Sequence, residues 1–241
     1  MTDGFVTLNT DDGAMDAYVA HPTGHGRHPG LVVIPEAFGV NHYIQNTCRH
    51  FADEGFVALA PDIYHRFGKQ IQLGYTDMKP VMQYLSEMTN DGYLMDIQAA
   101  LRGLRSQPHV HSEQVGVVGF CVGGLGTFIA ACHTDAQTFV AFYGGGIVTG
   151  RQGFKLHPVL DEAPYISRPI LMFFGAQDQS ISAEDRAAIE RQLTSLNVVH
   201  QIKVYDQAGH GFMCDERDSF RPDAASDAWK RTIAWFREYL Q

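Results

Sequence analysis

A cysteine, a histidine and two carboxylates stand just beyond apolar runs in this chain, and residues of those types can act together. Cys121 lies in Val115-Gly116-Val117-Val118-Gly119-Phe120-Cys121-Val122-Gly123-Gly124. The valine-rich run reads as a buried strand, and Leu125 to Cys132 reads as a buried helix. Strand, sharp turn and helix form the setting of a nucleophile elbow. Small residues flank such a turn because the two backbones approach closely. The N-terminus of the helix favours negative charge at the central side chain. A thiol is only a few per cent ionised at neutral pH, so it needs a base or a lowered pKa.

His210, in Ala208-Gly209-His210-Gly211-Phe212, can accept the thiol proton. Asp178, closing Gly175-Ala176-Gln177-Asp178, can fix the ring tautomer and balance an imidazolium. Asp161, Asp185 and Asp206 compete for that role, but none follows a predicted strand on the same side. The order Cys, Asp, His matches the nucleophile, acid, histidine order of α/β-hydrolases. In that design backbone N–H groups hold the oxyanion, here those of Val122 and Ala37. Glu36 follows the run Leu31 to Pro35; it reads either as a site residue or as solvated loop. Phe38, Tyr143 and Phe212 stand beside candidate site residues and suggest an aromatic, weakly polar pocket. Cys48, Cys132 and Cys214 read as structural thiols. His21, His25 and His28 lie in a Gly/Pro loop, and neither metal nor cofactor is expected from them.

These residues need a frame. Phe5 to Leu8 and Met15 to Ala20 flank Asp11-Asp12-Gly13, a hairpin signature. Leu31 to Ile34, Phe56 to Ala60, Phe139 to Tyr143, Pro169 to Gly175 and Val198 to Tyr205 read as further strands. Helices are predicted over 41–54, around 78–88, through Leu94, Ile97, Leu101 and Leu104, over 183–196, and through Ala225, Trp229, Ile233, Phe236 and Leu240. The alternation predicts one α/β domain over 1–241, of α/β-hydrolase fold. Its sheet would be doubly wound and mostly parallel, with an amino-terminal antiparallel hairpin. Ligands gather at the carboxyl ends of such strands. Glu36, Cys121, Tyr143, Asp178 and His210 all fall there.

The chain has 241 residues and a net charge of −9. That balance argues against nucleic acid or an anionic membrane as partner. No apolar run approaches the ~20 residues of a membrane span. The start Met1-Thr2-Asp3-Gly4 lacks the basic and apolar pattern of a signal peptide. The thiols show no CxxC pairing and read as reduced, so a cytoplasmic protein is expected. A small ester or lactone is the expected partner of a monomer or homodimer.

Four motifs together resemble the dienelactone hydrolase (carboxymethylenebutenolidase) family: Gly119 to Gly124, Pro35 to Asn41, Pro61 to Tyr64, and Ala208 to Phe212. The likeness runs along nearly the whole chain in the same order. It implies a triad of Cys121, Asp178 and His210, with Glu36 holding and helping to ionise the thiol. A thiol–glutamate contact at rest is implied. The arginines with which the family binds a substrate carboxylate have no evident counterpart: Cys214 stands where one is expected. Lys79, Arg66 and Arg217 are possible substitutes.

Sulfur also speaks to the substrate. A thiolate, with an ordinary thiol pKa of about 8.5, is expelled from a tetrahedral intermediate more readily than an alkoxide. Activated esters, enol-lactones and thioesters therefore fit, and peptides fit poorly. The alternative reading is a non-catalytic α/β-hydrolase-like protein that binds a small ligand.

Overall fold

In the computed structural model the chain is described over residues 2–150 and 152–241; Met1, which begins the amino-terminal stretch above, and Arg151 lie outside them. An eight-stranded sheet runs through it: β1 (Thr2–Thr10), β2 (Gly13–His21), β3 (His28–Ile34), β4 (Val57–Pro61), β5 (Val110–Phe120), β6 (Thr138–Phe142), β7 (Ile170–Gly175) and β8 (His200–Tyr205). The order is β1-β2-β4-β3-β5-β6-β7-β8. β1 and β2 form the predicted hairpin and β2 is antiparallel to β4; every later pair is parallel. This is the α/β-hydrolase arrangement.

Among the described residues six α-helices cover the sheet: α1 (His42–Asp53), α2 (Met78–Glu87), α3 (Asn90–Arg105), α4 (Val122–His133), α5 (Ala183–Ser195) and α6 (Pro222–Tyr239). α1 and α6 meet on one face, where Phe51 packs against Trp229 at 4.6 Å and against Phe236 at 6.2 Å. α3 and α4 pack together on the other face. The central strands are covered on both sides, which explains their unbroken burial and why they read as apolar runs. β8 is an edge strand and only half-buried, in keeping with its alternating sequence. A short 3-10 helix, Leu160–Tyr165, escapes a reading based on 3.6-residue periodicity.

Local chemistry ends the elements where the site begins. Asn41 caps α1, its side chain accepting from the Ile44 N–H at 3.2 Å. After β4, the Asp62 carboxylate accepts the N–H groups of Tyr64 at 3.1 Å and Gln70 at 2.7 Å, shaping the 62–70 loop. That loop lies over the residues after β3. The Tyr64 hydroxyl donates to the Ala37 carbonyl at 2.9 Å, and the Leu73 N–H donates to the Phe38 carbonyl at 3.0 Å. Among the described residues no helix is long and apolar enough to cross a membrane.

Candidate active site

Cys121 is the single residue between β5 and α4. Its backbone sits at φ 58°, ψ −117°, which a side-chain-bearing residue adopts only under strain. Two backbone bonds fix the turn. The Cys121 N–H donates to the Phe142 carbonyl at 3.1 Å, and its carbonyl accepts from Gly124 at 2.9 Å. The glycines are needed because nothing larger fits: a Cβ on Gly123 would run into the Ile34 and Pro35 carbonyls, and one on Gly124 would lie 2.5 Å from the Phe142 carbonyl oxygen. Val122 begins α4, so its N–H has no acceptor within the helix. Ala37 lines the same cavity as Cys121, and its carbonyl accepts from the Tyr64 hydroxyl, which fixes the peptide that follows it.

Asp178 follows β7 and its carboxylate is fully enclosed. One oxygen, Oδ2, lies 2.7 Å from His210 Nδ1. The other, Oδ1, accepts from Ser180 twice, from N–H at 2.8 Å and Oγ–H at 2.6 Å. These bonds outweigh burial and hold the Asp178 pKa below the ordinary value. His210 follows β8 and is 27% exposed, so the ring is reachable while its carboxylate partner is not. Burial pulls the His210 pKa down. The interactions with Cys121 and Asp178 push harder the other way, and the result is about 10. Cys121, His210 and Asp178 therefore come together as the sequence predicts.

Glu36 is 1% exposed. Burial raises its pKa, against the pull of Arg217 and His210. Arg217 Nη1 donates to Glu36 Oε1 at 3.2 Å, and the guanidinium stacks 5.2 Å over the Phe38 ring. Glu36 Oε2 and the Tyr143 hydroxyl are both buried without a well-formed hydrogen bond. Tyr143 still lies near enough to favour the Glu36 carboxylate, so the two orphans face each other loosely. The expected Glu36–thiol contact is absent among the described bonds: Glu36 is turned to Arg217 and the thiol acts on His210.

Cys121, Val122, Ala37, Phe38, Asp178, His210 and Arg217 line one cavity of about 870 Å³. Two expected lining residues do not. Tyr143 and Phe212 are fully buried behind His210, with Tyr143 5.1 Å from the imidazole and 5.3 Å from Phe212. Both are 0% exposed and neither reaches the cavity wall, because their rings pack on each other and, for Tyr143, on the imidazole. Of the three possible cationic substitutes, Arg217 reaches the cavity. Arg66 is held by Asp96 at 2.7 Å and Asp12 at 2.6 Å, and Lys79 lies on the exposed side of α2. Asp185 also lines the cavity, but its oxygens are engaged by Thr149 at 3.0 Å and by the Ser182 N–H at the cap of α5. Ser180 was invisible to sequence reasoning, although a serine two residues after the acid is a common turn partner.

An eight-stranded sheet of this order, with a strained cysteine at the elbow and a paired Asp and His at the following strand ends, defines an α/β-hydrolase. The chain belongs to the dienelactone hydrolase family, whose sequence model matches residues 15–240. A protein of Synechocystis sp., named provisionally as a carboxymethylenebutenolidase, is 34% identical over 238 residues, 98% of this chain and 96% of that protein. One of Bradyrhizobium sp., named provisionally as a 2-oxo-3-(5-oxofuran-2-ylidene)propanoate lactonase, is 30% identical over 98% of this chain and 94% of its own. A crystal structure from Klebsiella pneumoniae, described provisionally as a dienelactone hydrolase, superposes with a TM-score of 0.90 at 29% identity, covering 99% of both chains. The protein is thus a hydrolase of the dienelactone hydrolase family, and the first two of these relatives carry lactone-hydrolase names.

Proposed function

We propose that this chain hydrolyses activated carboxylic esters and enol-lactones through a thioester formed on Cys121. His210 takes the thiol proton, and the thiolate attacks the carbonyl carbon. As the C–S bond forms, the carbonyl electron pair moves onto oxygen, where the Ala37 and Val122 N–H groups receive it. The intermediate collapses, the C–O bond breaks, and His210 returns its proton to the departing oxygen. A water then gives a proton to His210 and attacks the thioester. The C–S bond breaks and the acid leaves. Asp178 keeps the ring in the tautomer that accepts at Nε2 and balances its charge.

The observation that carries this reading is geometric: Cys121 sits strained at the head of α4, and it shares one cavity with His210, whose Nδ1 is held 2.7 Å from the enclosed Asp178 carboxylate. The interaction of His210 with Cys121 and with Asp178 favours imidazolium, the form that has taken the thiol proton. Sulfur favours enolate or phenolate leaving groups, in accord with the lactone names of the relatives.

Rapid mixing with p-nitrophenyl acetate tests it. A burst of p-nitrophenol close to one per protein is expected, with an acetyl mass on the Cys121 peptide after acid quench. Cys121→Ala should lose the burst and all but a few per cent of turnover, and Cys121→Ser should be poor because a hydroxyl is far harder to ionise. Turnover retained in Cys121→Ala would overturn the assignment.

A further inference from the structure

α2 carries two apolar edges. Val81, Leu85 and Met88 are buried in the core. Met78, Met82 and Leu85, at i, i+4 and i+7, form a single stripe, and all three line the cavity shared with Cys121 and His210. Met78 is 45% exposed, so its apolar length meets the cavity mouth. Leu125 of α4 and Leu156, from the segment after β6, line the same cavity. None of these side chains is needed to position the thiol, the imidazole or the carboxylates. The volume of about 870 Å³ lies in the range that encloses a drug-sized ligand, ~300–1,000 Å³, far beyond what one small lactone ring fills. Methionines are flexible and polarisable, and they follow the shape of a bending chain.

We infer that this cavity takes carboxylic esters or thioesters bearing a long apolar group, laid along the Met78–Met82–Leu85 stripe of α2. The inference rests on the Cys121 chemistry proposed above for turnover, but binding of the apolar group does not. Each methylene that leaves water for the wall adds roughly fourfold to kcat/KM.

Two ester series separate the acyl side from the leaving side: p-nitrophenyl acetate through decanoate, and aryl acetates with growing 4-alkyl groups. One series should rise by roughly threefold to fourfold per methylene over several carbons. Met78→Ser with Met82→Ser, checked for an unchanged thermal transition, should flatten that slope. In parallel, calorimetry follows decan-2-one, an uncleavable neutral isostere, binding to Cys121→Ala with and without the α2 changes. If wild type cleaves acetates through Cys121 while both series fall with length, this inference is overturned and the proposed function stands. If decan-2-one binds in an α2-dependent way but no ester is turned over, the inference stands and the Cys121 reading fails.

Discussion

Arg217 and Glu36 form an ion pair inside the cavity, Nη1 to Oε1 at 3.2 Å, with the carboxylate side chain 1% exposed and the guanidinium 21% exposed. The cation that a carboxylated substrate would seek is therefore already neutralised by a buried partner. Taking Arg217 from Glu36 would leave an uncompensated buried carboxylate, a costly state. Wild type is expected to turn over neutral enol and aryl esters at least as well as carboxylated ones with matched leaving groups. Glu36→Gln frees the guanidinium, and the ratio of kcat/KM should then move toward the carboxylated member by about tenfold or more, some 1.4 kcal/mol. Ratios are used because a change of charge in the cavity can alter both rates together. A wild type that already prefers the carboxylate tenfold would show that Arg217 is released on binding.

The His210 proton gives a second test. Its pKa of about 10 stands above the ordinary 6.5, so imidazolium stabilises the fold in full below pH 6.5. That contribution is lost as pH climbs through about 10. Asp178, lowered, works in the opposite sense: its contribution is present above the ordinary carboxylate range and is lost as pH falls through the lowered value. In Cys121→Ala the interaction that pushes the His210 pKa up most is gone, leaving burial against Asp178. The ring should titrate lower by at least about one pH unit. Nitrogen-15 NMR of the imidazole reads this directly, and an unmoved titration would sever the thiol from the histidine.

The elbow itself is testable through Gly123. A Cβ there meets two backbone carbonyls, of Ile34 and Pro35, and neither can swing aside as a side-chain end would. Gly123→Ala should cost about 3 kcal/mol or more, since β3 and α4 must part. Urea unfolding measures it. The change should also damage turnover, because Val122 and Ala37 flank the same contact. A stable variant with intact kcat would mean that the turn tolerates wider spacing.

Much of this was legible in sequence because the central strands are covered on both faces and read as unbroken apolar runs. Cys121, Asp178 and His210 were recoverable for the same reason: each follows such a run by a few residues. What escaped depends on distance between elements. Arg217 has no run before it and reaches Glu36 across 181 residues of chain. The Met78–Met82 face could not be told from a core stripe, because a helix lining a cavity and a helix lining a core share one period. Tyr143 and Phe212 were placed at the correct edge, but period-2 reasoning does not say whether a side chain just past a strand turns to the cavity or behind the histidine. Glu36 was found, while its partner was not.

The last prediction concerns Asp178→Asn, where the structure fixes which amide atom goes where. Ser180 donates to Oδ1 from both N–H and Oγ–H, at 2.8 and 2.6 Å. An asparagine will keep its carbonyl oxygen there, because its NH₂ has nothing to accept from those donors. The NH₂ then faces His210 Nδ1, where Oδ2 stood at 2.7 Å. An N–H pointing at Nδ1 makes that nitrogen the acceptor and puts the ring proton on Nε2, the wrong tautomer for taking a proton from the thiol. It also removes the charge that balances imidazolium. kcat is expected to fall about a thousandfold or more, with the fold retained because shape and the Ser180 bonds survive. Ser180→Ala in the same background should not rescue kcat, because the backbone N–H of residue 180 still holds the amide oxygen. Asp185→Asn is the control: it loosens Thr149 and the cap of α5 but leaves the His210 ring untouched. A damaging Asp185→Asn beside a harmless Asp178→Asn would move the acid of the triad to Asp185.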